Sequence, residues 1–238
     1  MKSSAKVFVI IIVLAGLAVL FSAPFHSDGL SPQWGRFAAF LILTMIAAGM
    51  HVRLPRITGS MSVNLPFILL AVTQLSLFEA LVVACSSAVV QYLSMRKRVE
   101  LSKVAFNFCN MANAVAVAHL IYNAPVADSG FGVQTLSLAG AAAAYFFLNT
   151  APVAIVIALT EGKNAAKTWA DLFLLTYPYY LLSAGMAAGA LAISSNPMWE
   201  LPLVTMPLVY GVYRSYKRYF AKQLEGEPAA SMTAVAGR

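Results

Sequence analysis

Long runs of apolar residues separated by short polar connections extend along almost the whole chain. Five of these runs have the length of about 20 mostly apolar residues that a helix needs to cross a bilayer. They are Val7 to Phe25, Gly35 to Val52, Val104 to Tyr122, Leu136 to Leu159, and Leu172 to Ile193. This pattern predicts an all-α, polytopic helical membrane protein.

Three further apolar segments complete the pattern. Leu77 to Ser94 is adequate in length, whereas Ser62 to Leu75 is only about two thirds as long as a span requires. The last segment, Leu201 to Tyr213, continues into a basic stretch and is expected to leave the membrane as one helix. The sequence therefore predicts about eight transmembrane segments. As an alternative, Ser62 to Ser94 forms a re-entrant hairpin and the number falls to about six.

The positive charges fall almost entirely on one side of this arrangement. Lysines and arginines precede the first span and occupy alternate connections, whereas Arg36 alone falls on the opposite side. Because cytoplasmic loops carry the excess of Lys and Arg, both termini are expected to be cytoplasmic. Residues 1–222 then form a single transmembrane domain. Residues 223–238 have too little apolar content to fold and are expected to be a disordered cytoplasmic tail.

Composition supports a lipid environment and narrows the partners. The 238 residues are 60% hydrophobic and only 11% charged, against about one quarter charged in ordinary soluble domains. The net charge of +7 is explained by the basic loops, so the bilayer and not a nucleic acid is the expected partner. Cys85 and Cys109 lie in apolar segments and indicate neither a disulfide framework nor a metal site.

Motifs of catalytic chemistry do not occur in the sequence. The nine acidic residues fall in loops, at span ends or in the tail, which weighs against a proton-coupled pump. Phosphate-binding Gly-Lys loops, nucleophile elbows and paired histidines are also missing. We therefore expect no enzymatic activity, no metal and no cofactor.

Three asparagines spaced by three residues, Asn107, Asn110 and Asn113, form the densest polar cluster inside a predicted span. They share a broad helix face that turns by about 60° at each step. Such amides either bond neighbouring helices or line a polar cavity for a small ligand, and both interpretations stay open. The candidate neighbours for a cavity are Asn64, Gln74, Gln91, His119 and Asn149.

The stretch from Thr58 to Leu69, followed by Leu77-Phe78-Glu79-Ala80 and Ala105-Phe106-Asn107, resembles a bacterial membrane module. That module is similar to the N-terminal multi-span regions found ahead of diguanylate cyclase and HD-type phosphodiesterase domains. The resemblance covers most of the chain and implies a multi-pass sensor in the bacterial inner membrane. No GGDEF-like loop or HD pair follows Glu225, so a separate cytoplasmic signalling protein is the implied partner.

The architecture also resembles, more loosely, the substrate-binding subunits of energy-coupling-factor vitamin transporters. That likeness implies the alternative function, a transport component that carries a small solute and docks on an energising protein. The leading hypothesis is a membrane sensor or small-ligand-binding module. It places Asn107, Asn110 and Asn113 near the ligand and makes Arg214 to Leu224 the cytoplasmic output helix.

Overall fold

The computed structural model describes residues 2–26, 34–53, 60–94, 100–124, 131–193 and 203–219. Within these ranges the chain forms eight helices and one two-stranded sheet. The helices are α1 (Ser3–His26), α2 (Trp34–Gly49), α3 (Leu65–Gln74), α4 (Leu77–Ser94), α5 (Leu101–Tyr122), α6 (Phe131–Glu161), α7 (Ala165–Ile193) and α8 (residues 203–219). The predicted tail, residues 223–238, and the basic loop at Arg96 to Arg98 lie outside the described residues.

Four helices, α1, α4, α5 and α6, are long and apolar enough to cross a membrane, judged by length and composition. The helices α2 and α3 are apolar but shorter. Large apolar side chains, among them Ile10, Leu14 and Phe21, are exposed along α1. In a lipid bilayer such an apolar surface is favourable, because it contacts hydrocarbon instead of water. The predicted all-α membrane fold is therefore confirmed, with four candidate spans.

Helix α5 lies at the centre of the bundle and packs against α1, α4 and α6. Helix α7 packs on α6 and α3, while α2 lies against α4. The crossing of α1 and α5 is close at Gly16, which faces the backbone of Cys109. A glycine at this point removes the side chain that would otherwise separate the two helices.

The structure departs from the predicted all-helical pattern at residues 51–53 and 60–62. The apolar run Gly35 to Val52 does not remain helical to its end, because α2 stops at Gly49. Strand β1 (His51–Arg53) follows and pairs antiparallel with β2 (Ser60–Ser62), with His51 opposite Ser62. Val52 is buried against Tyr213 and Tyr216 of α8, so the hairpin covers part of that helix.

Helix α3 is short but deeply buried. Its first eight residues, from Leu65 to Val72, are all buried, and Pro66 lies in its first turn, where a missing backbone N–H costs nothing. At 1.5 Å per residue the helix is about 15 Å long, roughly half of the hydrocarbon core. The predicted span Ser62 to Leu75 is thus a half-length helix that begins shortly after strand β2.

The bundle has two chemically different ends. At one end, Lys2 before α1 lies beside Gly162, which ends α6 with φ 73°, and Lys103 lies in the first turn of α5. We call this the basic end. At the opposite end, the His119 ring near the end of α5 lies 3.2 Å from the carbonyl oxygen of Leu75, between α3 and α4. Helices α4 and α5 therefore run antiparallel and meet at the basic end.

Candidate functional site

A cavity of about 290 Å³ opens between α4, α5 and α6, in the half of the bundle nearer the basic end. Four amide side chains line it, and we call it the amide cavity: Gln91, Asn107, Asn110 and Asn149. Much of the remaining wall is apolar, with Val89, Phe108 and Met111 among its residues, and none of its lining residues is charged. This volume lies at the lower end of the range for small-molecule sites, about 300 to 1,000 Å³.

Two of the four amides are held by hydrogen bonds across helices. The Asn110 side chain, 2% exposed, donates from Nδ2 to the backbone oxygen of Asn149 over 3.2 Å. The Asn149 side chain in turn donates from Nδ2 to the hydroxyl oxygen of Tyr180 on α7 over 2.8 Å. Within the described part of the chain, the Gln91 and Asn107 side chains have no hydrogen-bond partner. These two amides are therefore available to a ligand without loss of a helix contact.

Four other residues proposed from the sequence lie elsewhere. Three of them join helices, and the fourth, Gln74, accepts a hydrogen bond from Arg36 at its backbone oxygen. Asn113 donates to the backbone oxygen of Ile12 on α1 over 3.1 Å. Asn64 donates to the Ser87 hydroxyl and accepts from the Ser62 hydroxyl, both over 2.8 Å, which fixes the extended segment before α3 against α4. His119 holds the turn between α3 and α4. Of the three asparagines of α5, Asn107 and Asn110 thus line the cavity, whereas Asn113 bonds α1.

Aromatic side chains connect the amide cavity to α8. The Tyr180 ring meets Phe146 edge-on with centroids 4.7 Å apart and Tyr179 edge-on at 6.0 Å. Tyr179 is 3% exposed, and its hydroxyl accepts a hydrogen bond of 3.0 Å from the backbone N–H of Leu65 at the start of α3. Its ring then meets Tyr216 of α8 edge-on at 6.3 Å. We call Tyr180, Tyr179 and Tyr216 the tyrosine relay.

A buried polar cluster at the opposite end was missed by sequence reasoning. Glu79, 1% exposed, accepts hydrogen bonds at Oε2 from the backbone N–H of Ser76 (3.0 Å) and from the Ser76 hydroxyl (2.9 Å). Arg36 donates to the backbone oxygen of Gln74, and its guanidinium attracts the Glu79 carboxylate. One feature of the sequence pointed to this cluster: Arg36 is the only basic residue predicted on its side of the membrane. Glu79 lies in the first turn of α4, close to Gln74 in the chain.

Metal binding finds no support in the geometry of the described ranges. There, no group of three or more His, Cys, Asp or Glu side chains is placed to hold an ion. The chemistry of the amide cavity is instead that of neutral hydrogen-bond donors and acceptors beside apolar surface.

These features define a helical membrane protein with an uncharged polar cavity inside its bundle. The family model MASE9, which describes a family of membrane-associated sensory domains, matches residues 36–220. That match covers most of the chain, so the chain belongs to this family. No curated protein and no solved structure matches it. The predicted resemblance to a membrane sensor region is confirmed at this level.

Proposed function

We propose that the chain is a sensor of the bacterial inner membrane that binds a small uncharged ligand in the amide cavity. The bound state is passed through α8 to a separate cytoplasmic signalling protein. Membership of a membrane sensory family supports the general role. The observation that carries the specific proposal is the contact path from Asn110 and Asn149 through the tyrosine relay to α8.

A ligand in the amide cavity competes for the same amides that position Tyr180. A new hydrogen bond to Asn149 changes how its Nδ2 is shared with the Tyr180 hydroxyl, and the ring moves against Tyr179. Because packed interiors accommodate such a shift by changing between discrete arrangements, the effect reaches Tyr216. The ligand controls this equilibrium only as far as it binds one arrangement more tightly than the other.

Helix α8 is suited to carry the output. Arg214, Lys217 and Arg218 are exposed on it, and Lys217 Nζ lies 5.5 Å from the centroid of the Tyr213 ring. Val52 of the β-hairpin packs on the same helix, at Tyr213 and Tyr216. A shift of Tyr216 therefore changes the position of an exposed basic surface that a cytoplasmic protein can recognise. This mechanism assigns the chain no catalytic step.

We also propose that both termini are cytoplasmic and that β2 and α3 together form one of eight transmembrane segments. The contact of Arg36 with Gln74 supports the second point, because it brings the end of α3 level with the start of α2. Reporter fusions at residue 1 and after Lys222 are expected to read cytoplasmic at both positions. A periplasmic signal from either fusion would reject the topology.

Transport of a small solute, the alternative suggested by the sequence, has no support in the fold or in the family match. We therefore do not propose it.

The ligand function is tested by two asparagine variants on the same helix. Purified protein is screened against metabolites by thermal shift, since a ligand at about 100 times its dissociation constant stabilises the folded state by about 2.7 kcal/mol. Asn107→Ala is expected to remove this stabilisation while the unliganded protein melts normally, because Asn107 lines the cavity and has no described partner.

Asn113→Ala is the matched control. It removes the hydrogen bond to Ile12 and is expected to cost about 0.6 to 2 kcal/mol of stability, while ligand stabilisation is retained. Equal ligand stabilisation in wild type and Asn107→Ala would exclude the amide cavity as the site.

A further inference from the structure

A second cavity, of about 450 Å³, adjoins the amide cavity on the side of α1. It lies between α1, α5 and α6, and we call it the lateral groove. Asn107 and Val153 line both spaces, so the side chains of these two residues stand at the junction between them. The amide cavity and the lateral groove are therefore neighbours that meet at these two side chains.

One face of α6 runs along both spaces. Asn149 and Val153 line the amide cavity, and Val153, Ile157 and Thr160 line the lateral groove. Their spacing of three or four residues places them on one side of the helix. At 1.5 Å per residue, the distance along α6 from Asn149 to Thr160 is about 16 Å. The combined space is thus long and narrow.

The chemistry changes along this length. One end offers the amides of the cavity, whereas the middle is walled by Phe106, Val156 and Ile157. At the basic end, Lys103 and Glu100 pair with each other over 3.5 Å, and their side chains are 62% and 68% exposed. These charges are satisfied by one another and by the polar membrane surface. What remains for a ligand is a neutral polar pocket followed by an apolar stretch that ends at the hydroxyls of Ser102 and Thr160.

We infer that the sensed molecule is an elongated amphiphile with an uncharged hydrogen-bonding head group. The head occupies the amide cavity, and the apolar chain passes Val153 and lies along α6 in the lateral groove. This inference rests on the proposed function and names the chemical class of its ligand. Entry takes place from the bilayer, where such a molecule concentrates, through the groove between α1 and α6.

A homologous series of primary alkanamides tests the inference, because only the chain length varies. Acetamide, butanamide, hexanamide and octanamide are titrated against the protein in lipid nanodiscs, and binding is expressed against the free aqueous concentration. Affinity is expected to rise roughly fourfold for each methylene that enters the groove, which corresponds to about 0.8 kcal/mol per buried CH₂.

Two substitutions on α6 distinguish binding of the chain in the lateral groove from its partitioning into the surrounding lipid. Ile157→Phe narrows the lateral groove at a residue that does not line the amide cavity, and it is expected to leave butanamide binding within about twofold of wild type while the gain from butanamide to octanamide disappears. Ile155→Phe enlarges a residue of the same helix that lines neither space, and the full gain is expected to remain.

The outcomes distinguish the inference from the function on which it rests. If short amides bind in an Asn107-dependent way and octanamide binds no more tightly, the amphiphile is rejected and the ligand cavity stands. A chain-length gain that persists in Ile157→Phe shows that the chain lies in bulk lipid or in an annular lipid position, which also overturns the inference. Absence of octanamide binding overturns it as well, whereas the metabolite screen with Asn107→Ala decides the proposed function separately.

Discussion

Replacing Glu79 by alanine is expected to destabilise the protein by about 1 to 3 kcal/mol, the cost of leaving buried hydrogen-bond donors without their acceptor. The Glu79 carboxylate is 1% exposed and accepts both the backbone N–H and the hydroxyl of Ser76. Its loss leaves the Arg36 guanidinium without the opposite charge that attracts it. In a bilayer, water cannot readily replace the missing acceptor. Denaturant-induced unfolding in mild detergent measures the change.

Glu100→Ala is the control for this prediction. Glu100 also precedes the body of a helix and also pairs with a base, but its side chain is 68% exposed. Exposed pairs contribute about 0 to 1 kcal/mol, so this variant is expected to resemble wild type. The double variant Arg36→Ala/Glu79→Ala should lose less stability than the two single losses added together, because the residues interact. Equal stability of Glu79→Ala and Glu100→Ala would show that the buried Glu79 carboxylate contributes nothing.

The long helices were predictable from the sequence, whereas the hairpin was not. Helices α1, α4, α5 and α6 follow from apolar runs whose length has few structural alternatives. The region from His51 to Ser62 has only single apolar residues between polar ones instead, a pattern too short to distinguish a strand from the end of a helix. Pairing of His51 with Ser62 depends on residues that meet only in the folded chain.

The amides were predictable as candidates, but not their distribution. Polar groups are costly in lipid, and this alone drew attention to Gln91, Asn107, Asn110 and Asn149. Their convergence depends on how α4 and α6 pack around α5. The same helix geometry explains why Asn113 behaves differently. Asn113 follows Asn107 by six positions, which places the two about 120° apart around the helix. One amide therefore lines the cavity while the other bonds α1.

The interior tyrosines were not predictable from local sequence, because their partners are distant in the chain. Tyrosines at the end of a span ordinarily indicate an interfacial anchor. Here the Tyr179 hydroxyl bonds the Leu65 N–H, 114 residues away, and the Tyr180 hydroxyl bonds Asn149. Tyr177, two residues before Tyr179, is exposed. Whether a tyrosine in this segment is an interfacial anchor or part of the tyrosine relay thus depends on the residues that surround its side chain.

A second large effect is expected from Gly16→Ala at the crossing of α1 and α5. A Cβ atom on Gly16 would lie 2.6 Å from the carbonyl oxygen of Cys109 and 2.7 Å from its Cα, so backbone would have to move. Overpacking of this kind typically costs about 1 to 3 kcal/mol. We expect Gly16→Ala to lower the unfolding midpoint in detergent and to weaken the Asn113 hydrogen bond to Ile12, since both hold α1 against α5.

Gly185→Ala and Gly189→Ala on α7 provide the matched controls. Among the described residues, nothing lies within 4 Å of a Cβ built at either position. Alanine is the better helix former by about 1 kcal/mol, so these variants are expected to melt at or slightly above the wild-type midpoint. Combining Gly16→Ala with Asn113→Ala should cost less than the sum of the single effects, because helix separation already weakens the bond that the second change removes. If Gly16→Ala is as stable as the two α7 variants, α1 does not pack against Cys109 in the folded protein.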